Sequence, residues 1–81
     1  MVRNDYVLEK IRPTLVSVFH VDPSDIKEGA VPSDIDGWDS LGHIKMFAAL
    51  EGDLGIVCSM SEMIEVDSIN SLLDLLSYKM K

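Results

Sequence analysis

Gly37-Trp38-Asp39-Ser40-Leu41-Gly42-His43-Ile44 is the point where a turn-rich connection gives way to an amphipathic segment, and placing that boundary decides how the rest of the chain is read. Either Asp39 or Ser40 can accept hydrogen bonds from the unpaired amides that begin a helix. A helix therefore starts here and runs to about Leu54, before Gly55. Along it Met46, Phe47, Leu50 and Leu54 share one face at core spacing, while Leu41, Ile44 and Ala48 form a second stripe rotated toward the serine. One stripe is enough for a small core. Either the apolar face is broad and wholly buried, or Leu41 and Ile44 make an exposed patch beside Ser40.

Upstream, His20 to Gly37 carries Pro23, Gly29, Pro32 and Gly37 among polar residues, which is turn chemistry spread over a long loop. Loops of this length in compact domains are often functional. Ile26, Val31 and Ile35 are expected to anchor this one to the core. Before it, Tyr6, Val7, Leu8, Ile11, Leu15, Val18 and Phe19 recur at helical spacing after a cap-like Asn4-Asp5, defining a first helix. Pro13 removes one backbone donor and crowds the carbonyl of Glu9, predicting a bend or a weakened turn.

Downstream, Ile56, Val57 and Cys58 read as an extended connector. Ser59 or Ser61 can cap a short helix holding Met60, Met63 and Ile64. Those methionines are either core gap-fillers or the adaptable wall of a pocket for an apolar guest. Asp67 or Ser68 caps a last helix in which Ile69, Leu72, Leu73 and Leu76 follow the i, i+3, i+4, i+7 pattern, with Asn70, Ser71, Asp74 and Ser77 facing outward. Lys79 and Lys81 suit its negative end, and no β-alternation competes with the helical pattern. The expected fold is all-α: a small four-helix bundle with a long loop between helices 1 and 2 and a short helix 3, in a single domain over residues 1–81.

Eighty-one residues can bury only about 60% of the unfolded surface, so the core must be thin and a deep catalytic cleft is not expected. A net charge of −7 repels nucleic-acid backbones and anionic membrane surfaces, and favours partners with basic surfaces. Cys58 is the only cysteine, which excludes an internal disulfide and fits a reducing cytoplasmic setting. No segment has the apolar length of a secretory leader or a membrane span, so a soluble, unexported protein is expected.

No nucleophile constellation or glycine-rich phosphate cradle occurs, and His20 and His43 have no cysteine near them in sequence. Asp34, Asp36 and Asp39 fail as a calcium loop: counted from Asp34, the glycine position holds Asp39 and the closing glutamate position holds Lys45. The chain is not expected to be an enzyme, and no metal site is expected.

Gly37-Trp38-Asp39-Ser40-Leu41 resembles the prosthetic-group site of the acyl carrier proteins, whose signature is Asp-Ser-Leu at the start of the second helix. Helix order, the long first loop, the acidic balance and the short third element before Asp67-Ser68-Ile69 extend the likeness over essentially the whole chain. The resemblance implies that a phosphopantetheinyl transferase joins 4′-phosphopantetheine covalently to Ser40, with Asp39 helping to orient the transferase and its magnesium, serving as helix cap before modification, or both. It implies acyl cargo carried as thioesters and delivered to partner enzymes of lipid or specialised-metabolite biosynthesis. Leu41, Ile44, Lys45 and Glu51 would be the docking residues for loading and transferring enzymes with basic surfaces, and the carrier would act as a monomer. Lys45 and Gly52 stand where carriers of primary fatty-acid synthesis present glutamate, and Trp38 resembles discrete carriers of specialised pathways. Phe47 narrows the bundle centre, which favours short or exposed cargo. An aminoacyl or peptidyl carrier is the alternative within this mechanism, and an unmodified helical adaptor is the alternative outside it.

Overall fold

Four helices, α1 (Asn4–Phe19), α2 (Ser40–Leu54), α3 (Met60–Glu65) and α4 (Ile69–Lys79), build the fold in the computed structural model, which describes residues 3–80. Among the described residues there is no strand, and the expected bundle with its long first connection and short third helix is observed. α1 packs against both α2 and α4. The molecule measures 29 × 25 × 20 Å, so the core is thin, and its centre is held by Ile11, Leu15, Met46, Phe47, Leu50 and the α4 leucines.

α1 departs from expectation at its start. Arg3 occupies the cap position without a side-chain bond, and Asn4 lies inside the helix, where its amide donates to Asp74 on α4 at 3.0 Å. Val7, Leu8, Ile11, Leu15 and Phe19 are buried, but Tyr6 is exposed because it stands one residue before the stripe. The helix is continuous through Pro13, which is exposed to solvent. It ends at His20, in the left-handed region at φ 56°, whose amide donates to Val16 O.

The connection to α2 contains single 3-10 turns at Pro23–Asp25 and Pro32–Asp34, each opened by a proline whose fixed φ suits the first position. Asp22 caps the first by accepting from the Ser24 amide, and Asp34 accepts from the Val31 amide. Ile26 and Ile35 are buried as expected. Val31 is exposed, and Ala30, whose carbonyl accepts from the Ile69 amide of α4, takes its place in the core. The loop is stitched to two helices: Arg12 Nε donates to Ile26 O, the Ile69 amide to Ala30 O, and the Gly29 amide to Asn70 Oδ1.

α2 starts and stops where the sequence places it, with Asp39 as N-cap and Gly55 as left-handed C-cap. A Cβ at Gly52 would meet open space, so no close approach explains that glycine and it simply weakens the last turns. α3 is opened by a reciprocal capping box: Ser59 Oγ accepts from the Glu62 amide and the Glu62 carboxylate accepts from the Ser59 amide. Ser68 rather than Asp67 caps α4, whose Ile69, Leu72, Leu73 and Leu76 are fully buried. Ser77, expected to face outward, is buried too; its hydroxyl donates to Asp74 O, which makes burial tolerable. Lys79 pairs with Glu62 at 2.9 Å and donates to Val57 O, tying the end of α4 to the start of α3. Lys81 lies outside the described residues.

Candidate functional site

The first turn of α2 is shaped by a contact with the loop that precedes it. Gly37, at φ 84°, turns its carbonyl toward α2 so closely that a Cβ at Gly42 would stand 1.9 Å from the oxygen. Only glycine permits that approach, and it brings Trp38 inward, where the indole is buried against Phe19 with ring centroids 6.2 Å apart. Asp39 then caps the helix, Oδ1 accepting from the Gly42 amide at 2.8 Å. Of the two roles read for Asp39, the cap is thus occupied. Ser40 follows as the first helical residue, exposed to solvent, and no hydrogen bond engages its hydroxyl among the described residues.

His43 was not singled out by sequence as part of any site, yet it joins three elements. Trp38 Nε1 donates to His43 Nδ1 at 2.9 Å, and His43 Nε2 lies 2.7 Å from the carbonyl oxygen of Met63 on α3. An indole nitrogen only donates, so Nδ1 is the bare nitrogen and Nε2–H donates to the carbonyl. The imidazole stacks on Trp38 at 12° and meets the Phe47 ring edge to face, centroids 5.1 Å apart. The available signal was positional: His43 is four residues before buried Phe47, on the same side of the helix.

A groove of about 530 Å³ opens beside Ser40 between α2 and α3, bordered by Trp38, His43, Ile44, Met60, Met63 and Ile64. Met63 packs against the core as a gap-filler, while Met60 stands exposed in the groove wall. Leu41 and Ile44 are 61% and 59% exposed, which selects the patch over the broad buried face. Lys45 is exposed one turn beyond Leu41. Glu51 is half-buried and its carboxylate accepts from the Cys58 amide at 2.8 Å, so it also holds the α2–α3 connector.

The charged groups near α3 are paired. Glu62 is held below its ordinary carboxylate value, first by the Ser59 amide and then by Lys79, and Lys79 is raised chiefly by Glu62. Burial pushes the Cys58 thiol up, against the opposing pull of Lys79. Among the described residues no three His, Cys, Asp or Glu side chains are placed to hold a metal ion, and no helix is long and apolar enough to cross a membrane.

An exposed hydroxyl with no bond to surrender, at the positive end of a capped helix and at the mouth of an apolar-walled groove, is suited to a covalent phosphate-linked appendage. Across known protein families, the one described as "Phosphopantetheine attachment site" matches residues 9–76. No curated protein and no solved structure matches the chain.

Proposed function

The chain belongs to the phosphopantetheine-attachment family, whose members carry 4′-phosphopantetheine covalently on a serine, and from that premise we propose that Ser40 is the attachment residue of a carrier for acyl intermediates. The observation that carries this reading is the uncommitted, exposed Ser40 hydroxyl within the Asp39-Ser40-Leu41 sequence at the start of α2. When bound, the group supplies a terminal thiol that holds cargo as a thioester. The protein's own residues do the rest. Asp39 fixes the helix start, so the Ser40 backbone is held in place while its hydroxyl stays free for a transferase. The free amides and helix dipole around it favour the added negative charge. No catalysis on the thioester is assigned to this chain.

Leu41, Ile44, Lys45 and Glu51 form the proposed docking surface, with Leu41 and Ile44 as its apolar centre. Weak, reversible contact suits a carrier that must release each enzyme in turn, and a net charge of −7 favours encounter with basic partner surfaces. Tethering replaces diffusion of a free thiol with a high local concentration at the docked enzyme. Acyl rather than aminoacyl cargo is favoured by the apolar walls Ile44, Met60 and Ile64. Lys45 and Gly52, which thin the acidic face of α2, favour a specialised pathway. The carrier acts as a monomeric domain in the cytoplasm, on partners that load and remove the acyl group.

Incubation with coenzyme A, magnesium and a promiscuous phosphopantetheinyl transferase, followed by intact mass, tests the assignment. The mass of one phosphopantetheine is expected on the wild type and none on Ser40→Ala. No addition to the wild type, or addition that persists in Ser40→Ala, overturns it and leaves the helical adaptor.

A further inference from the structure

Any apolar group tethered at Ser40 faces two places it could occupy: the outer groove, or the bundle interior beyond the seam between α2 and α3. The groove is open to solvent and its walls are bare, with Ile44, Met60 and Ile64 at 59%, 68% and 73% exposure. Across the seam lie Met46, Phe47 and Leu50, all fully buried. His43 stands between the two. Its ring is bonded to Trp38 Nε1 on one side and to Met63 O on the other, and it rests against Phe47. A chain entering the interior by this route would pull the imidazole from both partners, leaving an indole N–H and a backbone carbonyl unpaired, and would then displace a ring packed at core density. The groove demands neither.

We infer that His43 is the positioning residue that keeps cargo outside the bundle: by bridging Trp38 and Met63 it shuts the α2–α3 seam, so the acyl group lies along Ile44, Met60 and Ile64. This rests on the carrier reading of Ser40. It makes the preferred cargo a short acyl chain that the outer groove can cover, with its thioester accessible to partners. Longer chains gain no protection here, since their ends project into water.

The test loads wild type and His43→Ala through Ser40 with phosphopantetheine bearing either an acetyl or an octanoyl amide, a hydrolysis-resistant link, and compares side-chain methyl spectra. In the wild type, both groups are expected to shift only the methyls of Ile44, Met60 and Ile64. In His43→Ala the octanoyl group, but not the acetyl group, is expected to shift Leu50 and Leu72 as well. His43→Gln, whose amide can still donate to Met63 O, should restore the wild-type pattern. If His43→Ala does not fold, Trp38→Phe takes its place, since it keeps a six-membered ring beside Phe19 while removing the indole donor and the fused ring behind it, which costs His43 one of its two partners. Core shifts in the octanoyl-loaded wild type, or identical patterns in wild type and the seam variant, overturn this inference while the carrier reading stands. Failure of the wild type to gain the arm, read by intact mass, overturns both.

Discussion

Gly42 sits in the first turn of α2, where glycine is the weakest ordinary helix former, and alanine would normally be an improvement by about 1 kcal/mol. The loop reverses that sign. With Gly37 O 1.9 Å from where a Cβ would stand, Gly42→Ala must push the loop and helix apart, disturbing Trp38 and the Asp39 cap together. Overpacking of this kind costs roughly 1–3 kcal/mol, so the variant is expected to unfold at lower urea concentration despite its better propensity. A midpoint equal to or above wild type would show that the approach is not tight. Such a residue is hard to read from sequence, because a lone glycine in a helix signals either a close neighbour or nothing, and Gly52, with open space around it, is the second case in the same helix.

At the scale of elements, α3 is short and is held at its start by Glu62, which accepts from the Ser59 amide and pairs with Lys79 from α4. The depressed Glu62 carboxyl contributes stability above its unfolded value that disappears as pH falls through the lower folded one. The raised Lys79 contributes below its own unfolded value, and loses it as pH rises past the folded one. Acidification below about 4.5, the ordinary glutamate value, is therefore expected to lower the hydrogen-exchange protection factors of Glu62 and Met63, taken relative to the intrinsic rate at each pH, before those of the α4 core amides fall. Glu62→Gln should remove that acid step; its persistence in the variant would assign the step to another carboxylate. Most element boundaries were legible because their chemistry is local: Asp39 or Ser40, Ser59 or Ser61 and Asp67 or Ser68 mark helix starts and Gly55 a stop, and the structure selects Asp39, Ser59 and Ser68, whereas the cap of α1 falls at Arg3 rather than at Asn4-Asp5. The misplacements at Val31 and Ser77 share one cause. Periodicity ranks positions around a helix or along a loop, but the neighbour that finally covers or exposes them arrives from elsewhere, as α4 does for Ala30.

For the whole molecule, a thin core and a bare patch divide the apolar residues into two kinds with opposite consequences. Leu72 is fully buried, and Leu72→Ala is expected to cost about 2–5 kcal/mol. Leu41→Ala and Ile44→Ala should leave the melting temperature nearly unchanged while slowing acyl transfer to and from partner enzymes. Comparable destabilisation in all three would mean that no free patch exists. The Asp39-Ser40-Leu41 helix start and its exposed flanking stripe were readable at this scale, whereas the Trp38–His43–Met63 bridge was not, since His43 and Met63 are 20 residues apart and one partner is a backbone carbonyl that no side-chain pattern encodes. The uncommitted Ser40 hydroxyl has a last implication. With the arm on that oxygen and cargo held outside the bundle, attachment breaks no hydrogen bond of the fold and moves no buried group, so bare and loaded forms share one shape. Partner enzymes then receive no conformational message about loading state; each must inspect the arm directly, and the order of reactions along the pathway has to be enforced by the enzymes rather than announced by the shuttle.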